Sequence, residues 1–465
     1  MGTENVKNMD FFFNPSSVAV VGASGVPGKL SGIILASLLK SRFKGAVYPV
    51  NPKYTEVLGI ACYPSIKAIG KEIDIAIFAL PAALTPAAVK AAAGLAAGAI
   101  IVSGGFGEAD GWEYESEIKT IAADSGMRVI GPNCMGIYDT LTRLDTFFIA
   151  DERIKRPKRG GLSMVSQSGS FAITAMDELA ADGLGVARII SYGNKADVNE
   201  SDCLDFLAED DATKAVALYI ESVDDGRRFV EAAGRCSAQK PVMAVKVGKG
   251  AAGSSAARSH TGAIAGRPEI YSAAFKKAGV VELHGYEDFI CGCKAYGIRN
   301  EPLECRGSRV MIITDGGGMG VGIADACVQA GLEVAAPSAD VVERLSAIFP
   351  AYFSMGNPID LTGSVTDEWY ARSLEAAMSG DNYDIAIVAA LWGPPNLTDD
   401  LAKLLAWKAR ESGKPVIICS PGGAYSRKKA KLFMKEGLPV FTTPEAAVRA
   451  AAVLARGAAG RRRAI

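Results

Sequence analysis

The feature that most constrains the fold is a rhythm that repeats along nearly the whole chain. Between Val18 and Leu454, short apolar runs are each followed by a glycine-rich turn and then by a longer stretch with helical spacing. A short apolar run suits a strand buried on both faces, and the helical stretch supplies the crossover that a parallel neighbour needs. The rhythm therefore predicts an α/β protein with doubly wound parallel sheets.

The apolar runs fall into three groups. The first group, with helical segments such as Ile33 to Lys40 and Thr85 to Ala97 between its members, predicts a Rossmann-like sheet. Its runs are VAVVG (18–22), AVYPV (46–50), IAIFAL (75–80), AIIVSGG (99–105) and RVIGPN (128–133). The later runs are LSMVS (162–166), VARIISYG (186–193), AVALYIES (215–222) and PVMAVKVG (241–248), and then VMIITDGGGMG (310–320), IAIVAAL (385–391) and PVIICS (415–420).

Two stretches without an apolar period separate these groups. A chain of 465 residues exceeds what one hydrophobic core usually supports, so about three domains of roughly 150 residues are expected. Residues 151–161 mix charges, proline and glycine and predict a hinge, and a second linker lies near residues 300–307. We therefore expect domains at residues 1–150, 151–299 and 300–465.

Charge and cysteine content exclude several classes of protein. The 50 Lys and Arg residues nearly cancel the 51 Asp and Glu residues, so no nucleic acid partner is predicted. Nine cysteines without a CxxC pair indicate a reduced compartment and no metal site. The N-terminus lacks the features of a signal peptide, and no apolar stretch of about twenty residues occurs. We expect a soluble, cytoplasmic protein with no membrane partner.

The first glycine-rich turn, GASGVPGKLSG (22–32), follows a strand and opens a helix. Its backbone N–H groups could face a pyrophosphate at the helix N-terminus. A dinucleotide site normally has an acidic residue at the end of the second strand, but Asn51, Pro52 and Lys53 stand there. A cation favours an additional phosphate, such as the 3′-phosphate of CoA or the 2′-phosphate of NADP. CoA, NADP and a purely structural turn are the alternatives at this point.

Two later turns behave in the same way. VSQSGS (165–170) and TDGGGMG (314–320) each end a strand with small residues and start a helix. Each leaves backbone N–H groups without partners in the helix, so each could hold an anion or could simply be a tight packing turn. Together they favour a single phosphoryl group held between two helix N-termini.

The chain has only two histidines, so each can be weighed individually. His260 follows a segment (248–257) rich in Gly, Ala and Ser, which predicts a loop that moves. A histidine there is ordinarily a surface residue, but the two anion turns favour an imidazole that attacks a phosphoryl centre while a carboxylate orients its other nitrogen. Glu221, at the end of the strand LYIES, is the candidate carboxylate, and the alternatives are a helix N-terminal acid or an exposed strand-end charge. His284 is interpreted as a structural turn residue, and Cys134 as a thiol near the predicted cleft without a catalytic neighbour.

In their order along the chain, GASGVPGKLSG, IGPNCMG, VSQSGS, LYIES and SHTGAIAG resemble the α subunit of succinyl-CoA synthetase. TDGGGMG and the later GNPIDLTG (356–363) resemble the C-terminal domain of the β subunit of that enzyme. This order of domains is similar to that of the ADP-forming (NDP-forming) acyl-CoA synthetases, the group of ADP-forming acetate–CoA ligases. The resemblance implies a Rossmann-like CoA-binding domain followed by two flavodoxin-like ligase domains, the first of which carries the phosphohistidine loop.

The resemblance also implies a reaction and a set of roles. An acid–thiol ligase of this kind converts acyl-CoA, phosphate and ADP to the free acid, CoA and ATP, reversibly, through an acyl phosphate and a phosphohistidine. His260 would carry the phosphoryl group and Glu221 would orient it. The residues implied to hold the phosphoryl group are Ser168, Gly169, Gly317 and Gly318. Those implied to bind CoA are Gly22, Ser24, Gly28, Lys29, Lys53, Pro81 and, near the thiol end, Asn133.

No ATP-grasp pattern occurs in the three α/β groups. The resemblance therefore implies that ADP or ATP and Mg²⁺ bind to a separate ATP-grasp β subunit, in an α₂β₂ heterotetramer, while this chain takes the small-molecule acyl-CoA or acid. Two other functions remain as alternatives. One is a CoA-binding regulatory module, since related domains occur fused to acetyltransferases, and the other is an NADP-dependent oxidoreductase built on the first domain alone.

Overall fold

The structure is a computed structural model that describes residues 9–250, 253, 267–298 and 305–464. The chain forms two compact units. The first unit comprises the residues up to Ala180 together with Val186–Ala278, and the second comprises Ala181–Gly185 and the residues from Gly279 onward.

Strands and helices alternate along the described residues. The strands, labelled β1 to β19 in chain order, are Ser17–Val21, Ala46–Val50, Glu56–Val57, Ile60–Ala61, Ile73–Phe78, Ala96–Ile101, Arg128–Ile130, Gly136–Asp139, Arg159–Ser166, Val186–Ser191, Ala215–Ile220, Val242–Lys246, Val281–Leu283, Val310–Thr314, Ser354–Met355, Ile359–Asp360, Ile385–Ala389, Val416–Cys419 and Val440–Phe441. The α-helices, labelled α1 to α15, are Asp10–Phe13, Leu30–Lys40, Thr85–Ala92, Trp112–Ser125, Gly169–Ala181, Glu200–Glu209, Gly226–Gln239, Pro268–Lys277, Tyr286–Gly297, Gly317–Gln329, Ala339–Ser346, Asp367–Met378, Leu401–Ser412, Ala424–Lys435 and Pro444–Ala464.

The first sheet of the first unit is parallel throughout and has the order β2-β1-β5-β6-β7. The chain passes from β1 to β2 on one side and then continues with β5 on the other side, so the strand order reverses at β1. Doubly wound sheets bind ligands at such a reversal, outside the carboxyl ends of the strands. The turns that follow β1, β2 and β5 therefore form the expected binding edge.

Within the first unit, the second sheet has the order β12-β11-β9-β10-β8. Its strands are parallel except for β8, which runs antiparallel to β10. The order reverses at β9, because β10 lies on one side of it and β11 on the other. The carboxyl ends of β9 and β11 therefore form a second expected binding edge.

The sheet of the second unit has the order β15-β16-β14-β17-β18-β19 and is parallel apart from the short β15. Its core includes Met311, Ile313, Tyr370, Leu405 and Phe433. Here too the order reverses at one strand, β14, whose carboxyl end leads into α10.

The α/β fold class predicted from the sequence is confirmed, and the predicted apolar runs coincide with strands to within a few residues. The helix predicted over Thr85 to Ala97 is too long. It ends at Ala92, and Gly94 adopts a left-handed backbone with φ of 76° before β6 begins. Gly94 adopts this backbone conformation without the cost of a Cβ, and the main-chain N–H of Leu95 closes the turn by donating to the carbonyl oxygen of Ala92 at 2.9 Å.

The segment predicted as a hinge, residues 151–161, is fastened to the rest of the first unit. Arg156 Nε donates to Asp145 Oδ2 at 2.8 Å, and both side chains are largely buried. The Tyr138 hydroxyl donates to the carbonyl oxygen of Pro157 at 2.7 Å. Strand β9 already begins at Arg159. The hinge interpretation is therefore wrong for this segment, because a buried ion pair and a strand occupy it.

The other predicted linker lies partly outside the described residues, since residues 299–304 are not among them. The division into domains at residues 150 and 299 stays a prediction. In the described ranges, no helix is both long and apolar enough to cross a membrane.

Candidate functional site

A cavity of about 690 Å³ lies in the first unit, among loops that follow strands of both its sheets. Four residues predicted from the sequence line it: Asn133, Ser168, Gly169 and Glu221. Asn133 follows β7, Ser168 and Gly169 follow β9, and Glu221 follows β11. The structure therefore brings together a predicted CoA-binding residue, a predicted phosphate turn and a predicted catalytic carboxylate.

Helix α5 begins at Gly169, directly in the predicted phosphate turn. The first N–H groups of a helix have no acceptor within it and carry the positive end of the helix dipole. Gly169 has to be small, because a Cβ at this position would lie 2.9 Å from Met135 Cγ. Ser168 Oγ accepts a hydrogen bond from the main-chain N–H of Phe171 at 3.3 Å and so caps the start of the helix. This helix start can hold an anion in the cavity.

Gln167 joins the helix start to the predicted catalytic carboxylate. Its Oε1 accepts hydrogen bonds from the main-chain N–H groups of Glu221 at 3.0 Å and Ser222 at 3.1 Å. The Glu221 side chain is 7% exposed. Gln167 thus holds the ends of β9 and β11 together, and it keeps Glu221 beside the helix start. Sequence reasoning missed Gln167, and its position directly before the two small residues of the anion turn was the one available signal.

Glu221 lies beside a buried cation. Strand β12 ends at Lys246, which is the register partner of Ile220 on β11. Burial lowers the pKa of Lys246, and the charge of Glu221 opposes that shift. Burial also raises the pKa of Tyr219 to about 12, and Glu221 adds to this shift. A partly desolvated carboxylate of this kind is suited to accept a hydrogen bond from an imidazole N–H.

Of the two histidines, His284 lies within the described residues. His260 lies outside the described residues, so its pairing with Glu221 stays a prediction. His284 is exposed in the turn between β13 and α9, and its main-chain N–H donates to Asp288 Oδ2 at 3.0 Å.

Three side chains that line the cavity, Glu115, Asn133 and Asn194, are connected by hydrogen bonds to one another and to Glu108. We term these four side chains the amide–carboxylate network. Asn194 Nδ2 donates to Glu108 Oε2 at 2.6 Å and to Glu115 Oε2 at 3.0 Å. Asn133 Nδ2 donates to Asn194 Oδ1 at 3.3 Å. Sequence reasoning identified only Asn133 in this set.

Glu108 is held in its ionised form. Burial alone would raise the pKa of Glu108, but the hydrogen bond from Asn194 and those from the main-chain N–H groups of Gly105 and Phe106 outweigh it and lower the pKa. The second carboxylate, Glu115, forms an ion pair with Lys119 at 2.9 Å. The network therefore contains carboxylate groups that accept hydrogen bonds from the amides beside them.

The thiol of Cys134 is buried next to Asn133. Its Sγ donates to the carbonyl oxygen of Ile101 at 3.3 Å, and burial raises its pKa to about 12. A thiol with such a pKa stays protonated near neutral pH and is a poor nucleophile. All nine cysteines lie within the described ranges, and none of them forms a disulfide.

The first glycine-rich turn joins β1 to α2 at the reversal point of the first sheet. Gly22 has φ of 87°, and a Cβ there would lie 2.8 Å from Leu80 Cδ2. A Cβ on Gly32 would lie 2.6 Å from the carbonyl oxygen of Ser24. These glycines are required because the turn folds closely against its neighbours.

The predicted cofactor residues other than Asn133 gather at this edge, on the loops after β1, β2 and β5. They are Gly22, Ser24, Gly28, Lys29, Lys53 and Pro81. Lys29 and Lys53 are exposed, and exposed apolar side chains stand in the same loops, with Val26 48% and Leu84 59% exposed. Cations beside accessible apolar surface suit a ligand that combines phosphates with a flat base. Among the described lining residues of the cavity, none of these six occurs.

The second predicted phosphate turn lies in the second unit, where α10 begins at Gly317. A Cβ on Gly317 would lie 2.6 Å from Asp360 Oδ2, whereas Gly318 has open space. Asp315 accepts a hydrogen bond from the main-chain N–H of Leu391 at 3.2 Å, and burial raises its pKa to about 6. Two carboxyl groups therefore flank this helix start. The sequence analysis did not identify either of them.

Three family models match the chain in succession. Residues 16–140 match a CoA-binding domain, residues 159–296 match a succinyl-CoA ligase-like flavodoxin domain, and residues 310–462 match a ligase-CoA domain. A CoA-binding domain followed by two ligase domains defines a CoA ligase of the succinyl-CoA ligase type.

Individual relatives narrow this class. Acetate–CoA ligase (ADP-forming) II subunit alpha of Pyrococcus furiosus is 36% identical over 97% of this chain and 98% of its own length. Acetate–CoA ligase (ADP-forming) I of Archaeoglobus fulgidus is 36% identical over 96% of this chain, which spans only 63% of that relative. The solved structure of the dinucleotide-forming acetyl-coenzyme A synthetase 1 of Ca. Korarchaeum cryptofilum, in complex with phosphate and ADP, is 32% identical with a TM-score of 0.90 over 98% of both chains. The chain belongs to the family of ADP-forming acetate–CoA ligases and corresponds to their alpha subunit.

Proposed function

We propose that this chain is the CoA-binding, phosphohistidine-carrying subunit of an acid–thiol ligase. The enzyme would convert acyl-CoA, phosphate and ADP to the free acid, CoA and ATP in a reversible reaction. The observation that carries the proposal is the cavity of the first unit, in which Asn133, Ser168, Gly169 and Glu221 converge. Family membership supports the same activity.

The chemistry proceeds in three transfers. Phosphate, held at the N-terminus of α5 by Ser168 and Gly169, attacks the thioester carbonyl carbon, the carbon–sulfur bond breaks, and CoA leaves as the thiol. His260 then attacks the phosphorus of the acyl phosphate, and the free acid leaves. Glu221 accepts the N–H of the other imidazole nitrogen and stabilises the charge that develops on the ring. ADP finally takes the phosphoryl group from His260 and becomes ATP.

The CoA site extends from the first glycine-rich turn to the cavity. The phosphates and adenine of CoA would bind at the edge with Gly22, Ser24, Gly28, Lys29, Lys53 and Pro81, and the thiol end would reach Asn133. The exposed cations and apolar side chains of this edge support the assignment. In the second unit, Gly317 and Gly318 would provide a second helix start for the phosphoryl group.

The nucleotide site belongs to another polypeptide in this proposal. The Pyrococcus relative is itself named as an alpha subunit, and it matches this chain along nearly its full length. We therefore propose a separate ATP-grasp β subunit that binds ADP or ATP with Mg²⁺, in an α₂β₂ heterotetramer in the cytoplasm.

Transfer of labelled phosphate tests the proposal. The chain is co-expressed with the ATP-grasp partner and incubated with ATP labelled on the γ-phosphate. We expect label on this chain that is stable in base and labile in acid, and we expect none in His260→Ala. The matched control is His284→Ala, which removes the other histidine and should label like the wild type. Glu221→Gln should slow the labelling by at least about tenfold, since the ring loses its orienting charge.

Two results would contradict the proposal. Label that persists in His260→Ala would show that His260 does not carry the phosphoryl group. Label that disappears in His284→Ala would show that the proposal assigns the phosphoryl group to the wrong histidine. Circular dichroism of each variant establishes that a lost signal is not a lost fold.

A further inference from the structure

We propose that Glu108, Glu115 and Asn194 are positioning residues that fix the side-chain amide of Asn133, so that one of its N–H groups faces the thioester carbonyl oxygen of acyl-CoA. The inference rests on the proposed function and goes further, because it names the group that recognises the acyl end of the substrate. Asn133 would contact the substrate, and the other three side chains would act through it.

The first step is the orientation of Asn194. An ionised carboxylate can only accept hydrogen bonds, and the pKa of Glu108 is lowered by the donors around it. The group of Asn194 that lies 2.6 Å from Glu108 and 3.0 Å from Glu115 must therefore be its NH₂. Both hydrogens of that group are used, one on each carboxylate. The Asn194 carbonyl oxygen is consequently directed away from the two acids.

The second step passes this orientation to Asn133. Because Asn194 presents its Oδ1, the neighbouring group of Asn133 at 3.3 Å must be a donor, which is its Nδ2. The main chain holds Asn133 at the same place, since its N–H donates to the carbonyl oxygen of Ser103 at 2.9 Å and its φ is 55°. The Asn133 amide therefore has one preferred orientation of the two that its shape allows.

One N–H of the Asn133 amide remains available for a ligand. In the part of the chain that the structure describes, Asn133 Nδ2 makes one hydrogen bond, to Asn194, which leaves its second N–H for a ligand in the cavity. A thioester carbonyl oxygen is an acceptor, so it needs a donor. The carboxylate of Glu115, which also lines the cavity, can only accept. Without the network, the Asn133 amide could turn over and place its own oxygen against the substrate carbonyl.

The inference predicts discrimination between acyl-CoA and free CoA. Free CoA has no carbonyl group at its sulfur, so it gains nothing from the oriented N–H. The three positioning residues, Glu108, Glu115 and Asn194, should therefore strengthen the binding of acetyl-CoA and leave the binding of CoA unchanged. A general structural role would alter both.

Equilibrium binding measures this difference without phosphate, nucleotide or turnover. Trp112 lines the cavity, and the other three tryptophans lie in the second unit, so quenching of its fluorescence reports the titration. The full chain is titrated with acetyl-CoA and with CoA as wild type, Asn133→Ala, Asn194→Ala and the double variant. We expect each single variant to weaken acetyl-CoA binding about tenfold. Asn194→Ala, which removes a side chain that does not contact the ligand, should leave CoA binding within about twofold of the wild type. The double variant should be no weaker than either single variant, because both act through the same N–H.

Two further variants keep the test decisive. Asn199→Ala removes an asparagine of the same unit that caps α6 and lies outside the network, and it should lower stability without changing the ratio of the two affinities. Glu108→Gln serves if Asn194→Ala does not fold. A glutamine cannot accept from both Asn194 and the main-chain donors of Gly105 and Phe106, so a smaller loss of acetyl-CoA binding, about threefold, is expected.

The outcomes separate the inference from the proposed function. If the wild type binds neither CoA nor acetyl-CoA, the proposed function and this inference both fall. If it binds both, but Asn194→Ala weakens them equally, or the two single effects add in the double variant, the inference is overturned and the proposed function stands.

Discussion

Replacement of Asp315 by asparagine should stabilise the second unit, and the gain should depend on pH. Asp315 is 6% exposed at the end of β14, and burial raises its pKa from 3.8 to about 6. A shift of this size corresponds to about 3 kcal/mol of folding free energy lost when the carboxyl group ionises. Asparagine carries no charge, and its side-chain oxygen can still accept the N–H of Leu391.

The stabilisation by Asp315→Asn increases with pH, because the pKa of Asp315 is higher in the folded chain than in the unfolded chain. Above pH 6 the carboxylate is ionised in both the folded and the unfolded chain, and the folded chain bears the full cost. As the pH falls from 6 towards 4, the folded chain takes up a proton before the unfolded chain does, so the wild type becomes more stable. Asp315→Asn should therefore raise the free energy of unfolding by up to about 3 kcal/mol at pH 8 and by almost nothing at pH 4. For a unit of this size, the gain at pH 8 corresponds to an unfolding temperature higher by roughly 6–12 °C.

Urea unfolding at pH 8, 6 and 4 provides the measurement. Tryptophan fluorescence is suited to it, because Trp369, Trp392 and Trp407 all lie in the second unit. Asp384→Asn is the matched control, since burial would raise the pKa of Asp384 but its hydrogen bonds to Arg309 lower it. That variant should be less stable than the wild type at pH 8, with the loss shrinking below about pH 4. A gain for Asp315→Asn that is the same at all three values of pH would refute the reasoning.

Two further predictions concern the first unit. Arg156→Met should lower the free energy of unfolding by about 3–5 kcal/mol, because it leaves Asp145 buried without its partner. In urea unfolding, the double variant with Asp145→Asn should recover part of this loss. A loss below about 1 kcal/mol in Arg156→Met would contradict the conclusion that the ion pair holds residues 151–161 in place. Gly22→Ala should destabilise the unit more than Gly70→Ala, which costs about 1–2 kcal/mol for its positive φ alone. A Cβ on Gly70 meets no atom within 4 Å, whereas one on Gly22 meets Leu80 at 2.8 Å. Only Gly22→Ala should also weaken CoA binding in a calorimetric titration, and equal effects of the two substitutions would argue against a crowded turn.

Much of the fold could be predicted because buried parallel strands leave a strong pattern. Runs such as AVYPV and AVALYIES are apolar throughout, and the structure has strands at Ala46–Val50 and Ala215–Ile220. Strand β8 was missed because its four residues, GIYD, are too few to show a period. The hinge was mispredicted for a related reason. Composition shows that a segment is charged, but it does not show that Arg156 forms an ion pair with the buried carboxylate of Asp145.

Some residues of the candidate site could be predicted from local sequence, and others could not. Asn133, Ser168, Gly169 and Glu221 each follow a strand of a parallel sheet, so the topology rule that predicts their convergence needs only local sequence. The partners of Asn133 carry no such signal. The hydrogen bonds of Asn194 join residues that are 61, 79 and 86 positions apart, and no local sequence pattern links positions so far apart. His260 and the role of the CoA-binding edge stay predictions.

Strand β8 has a consequence for how this protein can be divided. Although it lies before residue 150, it forms the antiparallel border of the sheet that begins with β9. A fragment starting at residue 151 would leave the edge of β10 without a neighbouring strand. It would also remove Asp139, one of the two carboxylates that pair with the buried guanidinium of Arg188. Recombination or truncation at that point would therefore yield a fragment that tends to aggregate through its exposed strand edge. The segments that carry the two sheets of the first unit are expected to be inherited together.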